Sequence, residues 1–316
     1  MENPELIERF YKSLYRIRRT EEEIARIYPT DRIKSPVHLS IGQEAVSIGV
    51  CEALRPDDVV FGTYRGHAMY LAKGGDLKKM IAELYGKVTG CARGKGGSMH
   101  MIDIEHGVMG TSAIVGTTIP ISAGYAYGLK YRGEDSVVVS FFGDGAVDEG
   151  AFHEALNFAA LKKLPVLFVC ENNFYAIHSH HMDRRHSDNL CERAEKYGMP
   201  SERIEGGDIF RIYESTRKHC ERIRRGEGPA FLEIVTCRWR EHVGPNDDFH
   251  LGYRKKEEVE CWIENDELKR LREMLNLNGQ DPMEAEIEDE IRAAFDFAES
   301  SLFPGKSELH EHLFKE

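Results

Sequence analysis

Apolar residues at helical spacing open the chain. Leu6, Phe10, Leu14, Ile17, Ile24 and Ile27 fall three, four or seven positions apart, and Asn3-Pro4 offers a cap followed by a proline, so a helix is expected over 4–28. Shorter helices are expected over 43–54 and 76–85, the latter capped by Asp76, with a brief strand at 59–61 between them. Residues 86–97 break the pattern with glycine at 86, 90, 94, 96 and 97. Such a run marks a loop whose backbone comes close to another group.

The middle of the chain is the clearest part. Residues 137–142 (VVVSFF) form a continuous apolar run of strand length, as a parallel strand buried on both faces requires. A helix is expected over 148–163, with Phe152, Ala155, Leu156, Ala159 and Leu161 on its apolar side; Pro165 ends it, and 166–170 reads as a second buried strand. Strand, helix and strand in this order make a βαβ crossover. Further on, the pattern predicts a helix over 209–225, a strand over 230–235, and helices over 255–275 and 283–300. No internal repeat or low-complexity segment is present. The fold class expected is α/β, a mostly parallel sheet with helices on both faces.

Charge narrows the partners. The 316 residues carry a formal net charge of -12, which disfavours nucleic acid, since that partner needs a clustered basic surface. The pairs Arg18-Arg19, Arg184-Arg185 and Arg224-Arg225 read as solvated faces or local anion contacts. The N-terminal stretch has charges every few residues, so neither a signal peptide nor a membrane anchor is expected, and no membrane contact. Seven cysteines, an odd number without a CxxC pair, fit reduced thiols and a cytoplasmic setting.

Candidate chemistry sits at the ends of the two central strands. In an open parallel sheet, ligands bind beyond the carboxyl ends of the strands. Asp144 follows one strand and Asn173 the next, so both side chains can converge on one point. An aspartate oxygen, an amide oxygen and a nearby carbonyl make a hard, all-oxygen set of the kind magnesium takes together with phosphate oxygens. Gly143 and Gly145 allow a sharp turn that brings N–H groups to a phosphate, and the following helix would aim its N-terminus at the same anion. Asp148 and Glu149 start that helix and are read as capping acids. The cluster His178, His180, His181 and His186 fits no usual zinc spacing.

Several blocks together carry a resemblance: TYRGH (63–67), GKGGSMH (94–100), GDGAVDEGAFHEALNFAALKKLPVLFVCENN (143–173) and the HVGP loop at 242. In this order, from about His38 to about Tyr253, the chain resembles the alpha subunit of the thiamine diphosphate-dependent decarboxylating component of 2-oxo acid and acetoin dehydrogenase complexes. The resemblance implies the thiamine diphosphate-binding fold, divided into a helical arm (1–30), the α/β domain that takes the diphosphate (31–254) and a C-terminal helical segment (255–316). It further implies that Asp144, Asn173 and the Tyr175 carbonyl hold Mg2+, that Gly145 and Ala146 offer backbone contacts, and that Tyr64 and Arg65 bind phosphate oxygens. Val115 would prop the cofactor in its bent form, with a backbone contact from Ala113; His242 would contact the cofactor and exchange a proton with the substrate, and His38, the second catalytic candidate, would line the mouth.

The activity implied is cleavage of a 2-oxo acid or acetoin, with transfer of the acyl group to a lipoyl acyltransferase. The family draws the glutamate that activates the cofactor from a second chain, and no second domain of this type follows residue 253. A beta-type partner in an α2β2 assembly is therefore expected. Two departures stand out. Val243 occupies the place of the regulatory serine of mitochondrial-type relatives, so phosphorylation there is not expected, and His178 interrupts a YAIST-like stretch near the substrate. The competing readings are a transketolase-like carboligase subunit and a non-catalytic scaffold of the same fold.

Overall fold

A computed structural model describes residues 3–277, 279 and 281–311. Its strands are β1 (Val59–Thr63), β2 (Val108–Ser112), β3 (Val138–Gly143), β4 (Val166–Asn172), the hairpin β5 (Tyr175–Ala176) and β6 (Ser179–His180), β7 (Ser201–Ile204) and β8 (Ala230–Val235). Its helices begin with α1 (Pro4–Ile27), α2 (Glu44–Cys51), α3 (His67–Ala72), α4 (Leu77–Leu84), α5 (Thr118–Arg132) and α6 (Gly150–Lys162). They continue with α7 (His181–Arg184), α8 (Cys191–Glu195), α9 (Ile209–Arg224), α10 (Lys256–Glu264), α11 (Glu267–Met274) and α12 (Pro282–Ser300).

Six strands form one parallel sheet in the order β2-β1-β3-β4-β8-β7. From β1 the chain steps outward to β2, then returns to the other side of β1 as β3. Connections that leave in opposite directions open a crevice at the carboxyl ends of β1 and β3. Alternation along the strands feeds two cores. Val139, Phe141, Leu167, Val169, Leu232 and Ile234 face a core shared with α1, α2, α4, α9 and α12. Val138, Phe142, Val166, Phe168, Cys170 and Phe231 face the core of α5, α6 and α8. The sheet is thus covered on both faces, as its uninterrupted apolar strands require.

Departures from the sequence reading have local causes. The strands β2 (VMGTS) and β7 (SERI) went unread because they lie at the sheet edges and lack the apolar run of central strands. The helix α5 carries Pro120, Gly124 and Gly128, which hide its periodicity. The helix expected over 148–163 begins only at Gly150, because Asp144–Asp148 forms a 3-10 turn before it. The helix expected over 255–275 is two helices, the second capped by Asp266, whose Oδ1 accepts the Leu268 N–H at 3.2 Å.

The glycine-rich loop does approach another group. The buried Glu83 carboxylate accepts N–H bonds from Ala92, Gly94, Gly96 and Gly97 at 2.7–2.9 Å. A Cβ at Gly90 would lie 2.3 Å from Glu83 Oε2, so only glycine lets the loop wrap that carboxylate. Nearby, His67 bridges Glu21 (2.5 Å) and Ser98 (2.8 Å), tying α1 and the loop to the start of α3. The basic pairs are less solvated than expected: Arg18 lies buried between Glu44 and Asp266, and Arg224 reaches Asp58. All seven cysteines are free, and among the described residues no helix is long and apolar enough to cross a membrane.

Candidate active site

A cavity of about 220 Å³ opens at the carboxyl ends of β1, β3 and β4. The end of β1 leads to Thr63, Tyr64 and Arg65, the end of β3 to Gly143 through Ala146, and the end of β4 to Glu171 and, one residue past the strand, Asn173. Val115 and Gly116 enter from the turn after β2, Tyr175 to Ile177 from the hairpin, Glu149 from the start of α6, and His242 from the loop after β8. A larger cleft of about 390 Å³ lies between α1 and α12, but its charges pair among themselves, as in Arg26–Glu23 and Arg32–Glu299. It offers no converging oxygen set.

Strand alternation explains how the paired asparagines divide their work. Asn172 turns away from the cavity and donates to the buried Glu233 of β8 at 2.7 Å. Its Oδ1 accepts the Phe174 N–H at 3.0 Å, which starts the turn into the hairpin. Asn173 faces the cavity. Its Nδ2 donates to Gln43 Oε1 at 3.0 Å, so its Oδ1, which also accepts the Tyr175 N–H at 3.2 Å, is the atom left for a cation. The hairpin is reached through left-handed backbone at Phe174 (φ 70°) and Ile177 (φ 56°), the kind of local strain held at sites rather than in scaffolding. Gly145 makes room for it, since a Cβ there would meet the Ala176 Cβ at 2.9 Å.

Asp144 is buried and lines the same cavity, so the two expected oxygen ligands do share one space. The sequence reading missed its partners. Arg184 and Arg185, from the end of α7, both reach Asp144 Oδ2, at 2.6 and 3.0 Å. It also missed Glu171, which alternation from Asn173 would have placed on the cavity side. Burial pushes the Glu171 carboxyl up to about 7, against the opposing pull of Arg65.

On the other wall, Arg65 is buried and makes no ion pair among the described residues. It donates to the carbonyls of Leu39 (2.7 Å) and His242 (3.2 Å), joining the two histidine-bearing loops. Burial lowers it to about 10, so it stays cationic at neutral pH, a preformed anion contact. The His38 ring lies 4.5 Å from Tyr64 and 5.2 Å from His242, although His38 itself is not among the lining residues. Ala113 is not among them either; it stands two positions before Val115. The loop carrying His242 is fixed by the buried Asp248, which accepts from Arg254 (2.7 Å), Arg238 (3.2 Å) and the Tyr253 hydroxyl. The His178 ring lies 4.6 Å from that of Tyr253, His181 Nδ1 lies 3.1 Å from Asp188, and the His180 and His181 rings are 4.3 Å apart, but among the described residues these histidines form no group that could hold a metal ion.

Burial, and then the Arg65 charge, hold both His38 and His242 down to about 3. Both rings are therefore neutral at working pH. Because the unfolded rings take protons near their ordinary value and the folded ones do not, this contribution to stability is present above about pH 6.5 and is lost as pH falls towards 3. Replacing His38 with asparagine is expected to flatten the fall in stability between pH 6 and 4 by about 1.4 kcal/mol per pH unit. Urea denaturation of both proteins across that range measures the difference.

Residues 12–307 match the family model described as "Dehydrogenase E1 component". The alpha subunit of acetoin:2,6-dichlorophenolindophenol oxidoreductase from Bacillus subtilis is 37% identical over 303 residues, covering 95% of this chain and 90% of that one. The pyruvate dehydrogenase E1 component subunit alpha of Zymomonas mobilis is 38% identical over 317 residues, covering 98% and 88%. A chloroplastic pyruvate dehydrogenase E1 alpha subunit from Arabidopsis thaliana is 37% identical over 316 residues, covering 96% and 73%. With a cavity at the crevice of a doubly covered parallel sheet and a match along nearly its whole length, this chain belongs to the dehydrogenase E1 component family, as a chain of its alpha-subunit type.

Proposed function

We propose that the cavity takes thiamine diphosphate through one Mg2+ ion, for cleavage of a 2-oxo acid or acetoin. The observation that carries this reading is the meeting of Asp144 and Asn173, from successive strand ends, in one cavity with the unpaired Arg65. The donor set suits the group: Asn173 Oδ1 faces the cavity, and Asp144 Oδ1 takes no hydrogen bond among the described residues. Asp144, Asn173 and the Tyr175 carbonyl hold the metal. Gly145 and Ala146 offer N–H groups to the diphosphate, with Tyr64 and Arg65 across from them. Val115, with Ala113 behind it in sequence, supplies the apolar support. When bound, thiamine diphosphate supplies a nucleophilic carbon and an electron sink. The neutral His242 holds or moves a proton at the substrate oxygen, and His38, which meets it edge-on, keeps that ring in place.

The cofactor-activating carboxylate comes from a beta-type partner in an α2β2 assembly. Support lies on the helix face beside the cavity, where exposed apolar residues continue from Ile114 and Val115 along α5 and α6 to Ile121, Tyr131 and Leu161. Tyr131 is 85% exposed and Leu161 73%, and Gly124 leaves open space for another helix to approach closely. A scaffold would need neither the oxygen pair nor an unpaired buried cation, and the relatives' names point away from sugars. Acyl transfer to a lipoyl acyltransferase in the cytoplasm completes the reading. Co-expression with a beta-type chain tests it: both chains together turn over pyruvate or acetoin with an artificial electron acceptor, and Ile121→Glu with Tyr131→Glu weakens their association. Turnover by this chain alone would contradict the partner.

A further inference from the structure

We propose that the adjacent Arg184 and Arg185 act on metal binding at Asp144 in opposite directions: Arg185 fixes the carboxylate in place, and Arg184 competes with the cation for it. The inference rests on the reading of Asp144 as a metal ligand.

The two arginines are not equivalent. The Arg185 side chain is wholly buried. Its Nη2 donates both to Asp144 Oδ2 and to the main-chain carbonyl of Asp144. A group that grips a carboxylate and the backbone of the same residue sets the side-chain rotamer and the turn together. Arg185 is a positioning residue in that sense, an outer partner of the kind that orients a ligand. Arg184 makes only side-chain contacts, to Asp144 Oδ2 at 2.6 Å and to Asp148, and it ends the single-turn α7. Its side chain keeps 17% of its surface exposed, where that of Arg185 keeps none; each carries one buried nitrogen without a partner among the described residues, Nε in Arg184 and Nη1 in Arg185. It is the less firmly held of the two.

Charge makes the difference consequential. Three guanidiniums (Arg184, Arg185, Arg193) surround two carboxylates (Asp144, Asp148), an excess of one positive charge. A divalent cation at Asp144 Oδ1 adds to that excess, so uptake favours release of one arginine. Arg185 is enclosed; Arg184 can turn outward. Arg184 and the cation thus compete for one carboxylate, and the departure of Arg184 links metal uptake to movement of the segment that carries His178, His180 and His181.

The test uses the assembled alpha–beta enzyme with saturating thiamine diphosphate, titrating Mg2+ by calorimetry and Mn2+ by its electron paramagnetic resonance signal. Arg184→Gln is expected to tighten metal binding about fivefold or more. Arg185→Lys is expected to weaken it about tenfold or more, since lysine keeps the charge but loses the double grip. Unchanged or weaker metal binding in Arg184→Gln overturns the competition, and unchanged binding in Arg185→Lys overturns the positioning role. Arg184 is partly exposed, so its variant carries the test even where Arg185→Lys fails to assemble. A wild type that shows no metal-dependent cofactor uptake overturns the functional reading itself; normal uptake with no response in Arg184→Gln overturns this inference alone.

Discussion

Replacing His242 with glutamine is expected to lower kcat by about 10²- to 10⁴-fold, the usual worth of a positioned proton-transfer group, while cofactor affinity stays near that of the wild type. The ring is neutral at working pH because burial and Arg65 oppose its protonated form, so one ring nitrogen is open to take a proton while the other holds a hydrogen bond through its N–H. Glutamine keeps a hydrogen-bonding end but cannot do both. The contacts that hold the loop do not use the ring alone: Arg65 reaches the His242 carbonyl, and Asp248 gathers Arg238, Arg254 and Tyr253. Loss of rate with intact binding therefore separates proton transfer from loop placement. Steady-state kinetics combined with calorimetric cofactor titration measures both quantities; a wild-type kcat in the variant would remove His242 from the chemistry.

The second large effect concerns Asp144. Asparagine has almost the same shape, yet Asp144→Asn is expected to weaken Mg2+ binding by more than about hundredfold, beyond the usual cost of losing an outer partner. The reason lies in the arginines. Arg184 and Arg185 both donate to Oδ2, so the amide of the variant must turn its oxygen towards them. Its NH2 group then takes the place of Oδ1, and an amide nitrogen does not ligate magnesium. Thermal denaturation is expected to show a folded protein. Metal affinity close to that of the wild type would mean that Asp144 serves only to anchor the arginines.

The central strands and the meeting of Asp144 with Asn173 in one cavity were legible in the sequence because both depend on short-range rules. A strand buried on both faces has to be apolar throughout, and a ligand at a strand end has to follow that run directly. Asp144 and Asn173 satisfy both conditions. Edge strands obey a weaker rule, so VMGTS and SERI passed unread. What holds the site together was hidden for another reason: Arg184 and Arg185 lie 40 and 41 residues from Asp144, and Arg65 lies 177 from His242. Spacing in the chain carries no trace of such contacts. The pair Arg184-Arg185 read as a solvated or local anion contact, whereas the fold buries Arg185 beneath the very turn that presents the candidate ligand. Glu171 was within reach of the alternation argument, two positions before Asn173.

The proposed site places one cation between two strand ends. Diffraction from the assembled enzyme soaked with thiamine diphosphate and Mn2+, which takes the same oxygen donors as Mg2+, locates that cation by its anomalous signal. The expected result is a single peak per chain bounded by the Asp144 carboxylate, the Asn173 amide oxygen and the Tyr175 carbonyl, with the diphosphate beside it. A peak elsewhere, or a diphosphate bound with no metal at these three residues, would contradict it.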